Sequence, residues 1–303
     1  FTLGAVPMLM FNPVQKDTIS PSSIIGAFGM YTANKTWFTM AFGSFYLNED
    51  KWRITAAGGV GTVNFQFYID NPISLWIPYQ TKANFAFAQV NRKIHKSIYG
   101  GVSYTYLKFK TSIENFPVAD TTKLHGVGFD VLMDERDNIY YPRNGFYISI
   151  DYNTFPSWLQ NEKASNKIEF DYNHYFSSRQ NQDVLATRFH AGLGVGDLAF
   201  NQQFVVGGKD IRGYSQGAFR GNYLLALQGE YRWNFHDRIG VVGFLGIATL
   251  FEAINEKDNG KLLPGFGAGF RYTVLKETQF KVGVDIAGGI DDWGIYFRIS
   301  EAF

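Results

Sequence analysis

Alternation with a period of two limits what this chain can fold into more than any other feature. From 183 to 195, Leu185, Thr187, Phe189, Ala191 and Leu193 fall on one side of an extended chain, with Ala186, Arg188, His190, Gly192 and Gly194 on the other. The split recurs at 144–153, where Phe146, Ile148, Ile150 and Tyr152 oppose Tyr147, Ser149, Asp151 and Asn153. At 264–273, Phe266, Ala268, Phe270 and Tyr272 oppose Gly265, Gly267, Gly269 and Arg271; at 279–287, Phe280, Val282, Val284 and Ile286 oppose Lys281, Gly283 and Asp285. Successive strand residues point to opposite faces, whereas helical residues recur every 3.6 positions, so these segments are strands with one apolar and one polar face. No stretch of roughly 18 apolar residues occurs, which excludes a transmembrane helix but not a barrel, whose apolar residues are hidden by alternation.

Composition fits twisted sheet: 17% of the residues are aromatic and 32 are glycine. No Pro/Ser-rich linker or charge block divides the 303 residues, which predicts one domain over 1–303. With 28 Lys+Arg against 27 Asp+Glu there is no basic field to attract nucleic acid. The absence of cysteine excludes disulfides, Cys-ligated metals and thiol nucleophiles. Phe1 opens inside what reads as a strand, so processing or truncation is expected ahead of it.

A soluble sandwich would also alternate, but three features favour a transmembrane antiparallel up-and-down β-barrel. The strands run ten or more residues, rings cluster at strand ends, and connections alternate between short and long. Short turns near 276–277, 234–237, 178–182, 93–96 and 48–51 are expected on the periplasmic side, together with longer ones at 12–23 and 134–144. Varied loops near 291, 252–261, 196–221, 156–165, 111–122 and 70–80, and a short turn at 34–35, are expected outside. About fifteen strands are expected, at 2–11, 24–33, 36–47, 51–69, 82–92, 97–109, 122–133, 144–154, 164–176, 183–195, 222–233, 238–250, 263–273, 278–288 and 293–303. Bacterial barrels have even strand numbers with both ends in the periplasm, which predicts one further strand before Phe1 and a sixteen-stranded barrel. An unrecognised hairpin within 51–80 would give the same total.

Three motifs carry a resemblance. Gly207-Gly208-Lys209-Asp210-Ile211-Arg212-Gly213-Tyr214 lies in the longest outer loop with five strands after it. Asp134-Glu135-Arg136-Asp137-Asn138 is followed by Tyr141-Pro142-Arg143-Asn144-Gly145. The chain ends in Gly294, Ile295, Phe297, Ile299 and Phe303 with Phe303 terminal. Together these resemble the BamA/TamA superfamily: its RGY/RGF loop, its DxRDN…YPxxG periplasmic turn and its terminal aromatic assembly signal. The resemblance covers essentially the whole chain. It implies an inward-folded loop over about 196–221 whose Arg meets an acid on the inner wall.

The bidentate, always-charged fork of an arginine suits such a contact. Glu230 is the expected partner of Arg212, because Leu225, Leu227, Tyr231 and Trp233 face lipid and turn Gln228, Glu230 and Arg232 inward. Pairing of Glu230 with Arg232 is the alternative. Many family members carry an inner-wall Asp in the segment aligned with 241–248, where this chain has Gly246, which removes one expected anchor. Gly265, Gly267 and Gly269 share a strand face and read as room for the loop rather than as a phosphate loop. In the 134–145 turn, Asp and Asn satisfy local donors, Pro142 ends a pairing and Gly145 permits positive φ.

No metal, cofactor or catalytic set is expected: His95, His125, His174, His190 and His236 are scattered, and no GxSxG elbow occurs. The resemblance implies a non-enzymatic barrel of a Gram-negative outer membrane with a periplasmic C-terminus. Its partners would be outer-membrane lipids and client polypeptides inserted or translocated through a lateral seam beside 293–303, or other subunits if it is a channel or scaffold. Val282, Val284, Phe297 and Ile299 are expected to face lipid.

Overall fold

A computed structural model describes residues 2–69, 75–113, 119–180, 182–215 and 217–303. Among them lie seventeen strands and three single-turn 3-10 helices, with no α-helix. The strands are β1 (Thr2–Ala5), β2 (Met8–Phe11), β3 (Ser23–Thr32), β4 (Trp37–Leu47), β5 (Trp52–Ile69), β6 (Leu75–His95), β7 (Ile98–Ile113), β8 (Ala119–Asp134) and β9 (Gly145–Phe155). There follow β10 (Ser165–Ser178), β11 (Asp183–Gly196), β12 (Phe204–Val205), β13 (Arg220–Asn234), β14 (Ile239–Ala253), β15 (Leu263–Leu275), β16 (Phe280–Gly288) and β17 (Trp293–Ile299). Fifteen expected spans become seventeen for two reasons. The span 2–11 divides at Pro7, which has no N–H to give a ladder, and the two-residue β12 forms inside the 196–221 loop.

Contacts group the chain into two units: Phe1–Leu132 with Asp151–Ile168 and Gly194–Gln202, and Met133–Ile150 with Glu169–Leu193 and Gln203–Phe303. In the first unit, β3 to β7 pair antiparallel in sequence order, the register running from Tyr31↔Trp37 to His95↔Ile98. β1 and β2 both pair with β3. The expected outer loops at 70–80 and 111–122 prove shorter, because β6 begins at Leu75, β7 reaches Ile113 and β8 begins at Ala119. Positions 70–74 and 114–118 lie outside the described residues. The inner face of this sheet is partly aromatic: Phe38 and Phe85 stack 5.8 Å apart, and a Cβ on Gly59 or Gly61 would strike one of the two rings. Glycine thus lets the rings lie flat on the wall.

In the second unit, β11 pairs with β13, and β13 to β17 form an antiparallel meander. Its faces invert the rule for soluble sheets. Leu245, Phe266, Ile286 and Phe297 stand 60–72% exposed on the outside, while Arg188, Arg232, Arg271, Glu230 and Asp285 are at most 1% exposed on the inside. Burying charge while presenting rings and aliphatic chains costs free energy in water and is favoured in a bilayer. Val282 is half-buried, and Val284 and Ile299 are exposed on this outer face. The fold is all-β, antiparallel and up-and-down.

β17 ends at Ile299, four residues short of the expected 303. Ser300 adopts φ 65°, and its hydroxyl donates to Tyr140 O at 3.0 Å, which turns the tail inward. Phe303 therefore leaves the outward row of Ile295, Phe297 and Ile299 and packs against the buried cluster of Tyr141, Tyr175, Val184 and Ala186.

Candidate functional site

The loop between β12 and β13 owes its path to glycine. Gly207, Gly208 and Gly213 have φ of 125°, 75° and 105°, values that side-chain-bearing residues rarely adopt. These reversals bring Val206, Ile211 and Tyr214 into one buried cluster with Leu224, Ala226, Ala248, Leu250 and Leu263 of β13, β14 and β15. The wall is shaped to receive them. A Cβ on Gly265 would lie 2.4 Å from Arg212 O and from Ile211 Cγ2, and one on Gly246 would lie 2.8 Å from Ile211 Cδ1. Gly246 stands where an acid was expected and instead provides the space that Ile211 fills.

The anchor missing from β14 is supplied by β16. Arg212, 3% exposed, donates Nη1–H to Asp285 Oδ2 at 2.7 Å and Nη2–H to Glu230 Oε2 at 2.8 Å. Its guanidinium lies 3.3 Å from the Phe244 ring centroid. Both sequence readings of Glu230 hold at once, since Glu230 Oε1 also accepts from Arg232 Nε at 3.0 Å. Asp285 accepts in addition from Arg271 Nη1 and, at 3.1 Å, from Arg298 Nε. Two buried carboxylates thus tie one loop arginine to three arginines of the wall. Leaving either acid unpaired in this setting costs about 3–5 kcal/mol.

A second set of contacts ties the loop to the β16–β17 hairpin. Gly213 N–H donates to Tyr296 Oη at 2.8 Å, Ser215 N–H to Asp292 Oδ2 at 2.5 Å, and Ile290 N–H to Tyr214 Oη at 3.2 Å. Tyr214 Oη in turn donates to Pro264 O at 2.6 Å. The Tyr214 ring lies against Gly289, where a Cβ would come within 2.5 Å, and burial pushes its hydroxyl pKa up. Arg298 Nη2 reaches Gly208 O at 3.3 Å. Further back in the loop, Asp210 accepts from Arg188 Nη1 at 2.8 Å, and Arg188 also pairs with Asp171.

The 134–145 turn has the local satisfaction expected of it. Arg136 forks onto Asp134 at 2.7 and 2.9 Å; burial opposes its charge, but the Asp134 carboxylate outweighs that and raises its pKa. Asn138 Oδ1 accepts from Tyr140 N and Tyr141 N at 2.7 and 3.0 Å, and Asp137 Oδ1 from Arg143 N at 2.9 Å. Pro142 is buried, and Gly145 has φ 94°. The chain end is fastened nearby: Arg271 Nε donates to Glu301 Oε2 at 2.7 Å and Arg232 Nη2 to Phe303 O at 2.8 Å. Gly294 pairs with Ala287, and its missing side chain leaves space beside the Tyr296 ring.

Sequence reasoning found the loop motif, Glu230 and the turn. It missed Asp285, Arg271, Arg298, Tyr296 and Asp292 as partners. A signal for Asp285 was present, because it falls on the polar face of its strand.

The Omp85 superfamily domain matches residues 31–303. BamA from Haemophilus ducreyi lacking POTRA domains 1–3 has a similar fold, with a TM-score of 0.62 at 11% identity over 98% of this chain and 68% of that one. CdiB from Acinetobacter baumannii (TM-score 0.57, 13% identity) and CdiB from Escherichia coli (0.58, 10%) are similar over 98% of this chain and 59% and 62% of theirs. No curated protein matches the sequence. With a glycine-lined wall holding an arginine loop, faces suited to lipid outside and charge inside, and a match over nearly all its length, the chain belongs to the Omp85 superfamily of outer-membrane β-barrels.

Proposed function

We propose that this barrel assists the insertion or translocation of polypeptides by opening a lateral seam between its first and last strands. The carrying observation is how little ladder the last strand offers. β17 spans seven residues before Ser300 turns away, against 9–21 residues for β3 to β11 and β13 to β16. Few hydrogen bonds make such an edge the least costly to open. An unpaired edge in hydrocarbon costs several kcal/mol per polar group, so a client strand that pairs with it is strongly favoured. The mechanism needs no catalytic residue, no metal and no cofactor, and the protein is not an enzyme. Its partners are outer-membrane lipids and client polypeptides, its short turns and C-terminus face the periplasm, and its inward loop faces outside.

A photoactivatable residue at Ile295 or Phe297 tests this in vesicles supplied with an unfolded outer-membrane protein. Covalent capture of the client, weaker from an equivalent position at Leu245, is expected. Capture of lipid alone at all three positions would contradict the seam and favour a channel or scaffold subunit.

A further inference from the structure

The first unit carries an ordered sequence of side chains on the outward face of β6, β7 and β8. Above the exposed Arg92, which lies next to the short turn, it is apolar, with Val90, Val102, Phe129 and Val131 exposed. Above this lies a polar aromatic ring: Tyr104 Oη and His125 Nδ1 are hydrogen-bonded at 2.7 Å, and the Tyr106 and His125 ring centroids are 5.0 Å apart. Above that come lysines. Lys82 and Lys110 are cross-strand partners, Lys108 faces Asn84, and Lys123 lies two residues beyond His125 on β8. Lys82, Lys110 and Lys123 are exposed and Lys108 is half-buried. None of the four has a carboxylate partner among the described residues.

Like charges placed directly opposite each other on neighbouring strands destabilise a sheet unless an anion lies between them. In a soluble protein water and salt would fill that role. Here the tyrosines mark the membrane interface; Lys108 and Lys123 stand two residues beyond Tyr106 and His125, and the Lys82–Lys110 row stands four beyond Tyr106, on the order of 7–13 Å at strand rise. That is the depth of headgroup phosphates. We infer that Lys82, Lys108, Lys110 and Lys123 form a docking site for a phosphate-bearing glycolipid headgroup of the outer leaflet. Tyr104, Tyr106 and His125 would set its depth, and the apolar row below would meet its acyl chains. The inference rests on the orientation given under Proposed function but not on the lateral seam.

Native mass spectrometry of the purified barrel, with phosphorylated and dephosphorylated lipid A as probes, tests the site. The wild-type protein should retain the phosphorylated lipid, and the triple variant K82Q/K108Q/K110Q should lose at least about tenfold of that retention, since each basic residue near an anionic surface contributes appreciably. The charge-preserving K82R/K108R/K110R variant should retain it, and all three proteins should keep the heat-dependent gel mobility of a folded barrel. Equal retention by the glutamine variant, equal retention of dephosphorylated lipid A, or displacement of the lipid by inorganic phosphate would overturn the inference. A preference for phosphatidylglycerol over lipid A would move the patch to the inner leaflet, overturning this site and that orientation. The seam would be unaffected, because client insertion is measured separately.

Discussion

Arg212 and Asp285 meet at 2.7 Å, although 73 residues separate them in sequence. The contact places a carboxylate from β16 where the wall of β14 offers only Gly246, and with Glu230 it engages both arms of one guanidinium. Replacing Arg212 by Ala takes one partner from each of two buried acids, which keep Arg232, Arg271 and Arg298, and should release the 196–221 loop, at a cost of about 1.5–3 kcal/mol for each hydrogen bond lost. Arg212→Lys should recover little, because a single ammonium cannot reproduce the fork. Limited proteolysis of intact outer-membrane vesicles should show new cleavage within the loop for both variants, and unchanged cleavage would show that the loop is held by other means.

Gly265→Ala tests the seating from the wall side. Its Cβ would lie 2.4 Å from the backbone oxygen of Arg212, which cannot move without the whole loop, so a loss of about 1–3 kcal/mol is expected. Gly229→Ala is the control, since a Cβ there meets nothing within 4 Å. Thermal unfolding followed by gel mobility should lower the midpoint for the first variant only.

Tyr296→Phe removes one hydroxyl that accepts from Gly213 N–H and lies 3.4 Å from Tyr214 O. It leaves the Arg212 network intact. Hydrogen exchange should therefore rise at Gly213 and in β17 while the remainder of the wall is unchanged, at a cost near 1 kcal/mol. Equal exchange in the variant and the parent would show that the loop does not steady the last strand.

Much of this site was legible in the chain. Period-two patterning gave the faces of β11, β13, β15 and, apart from the buried Phe280, β16, because a bilayer outside and a polar interior impose opposite demands on alternate residues. It could not single out Asp285, since the height of a lumen acid depends on strand register: Asp285 stands opposite Gly269, and Glu230 opposite Phe244. Nor did it show how far β6 extends. Gln80, Lys82 and Asn84 on its outward face are polar like a loop, and only the ladder of pairings shows them to be strand. The inward turn of Phe303 hangs on the left-handed backbone of Ser300, which no pattern announces.

The 12–22 turn offers a pH test. Asp17 accepts from Ser20 Oγ, Ser20 N, Glu49 N and Ile19 N, with the Ser20 hydroxyl the largest influence, and its carboxyl is held below the usual carboxylate range. A depressed pKa contributes stability above the ordinary value of about 4 and loses it as the pH falls through the lower folded value. Protection of the Glu49 amide from exchange should persist at mild acidity and fall only in stronger acid, and Asp17→Asn should show reduced protection wherever Asp17 is ionised and no further loss in stronger acid.

Locking the seam addresses the function itself. The chain has no cysteine, so a pair introduced across the seam beside Trp293–Ile299 can be oxidised without competing thiols. Barrels reconstituted in vesicles are given an unfolded outer-membrane protein, and its protease-resistant insertion is measured with the pair oxidised and then reduced. Insertion should stop in the crosslinked barrel and return on reduction. Insertion by the crosslinked barrel at the rate of the reduced one would contradict lateral opening and leave the protein a channel or scaffold.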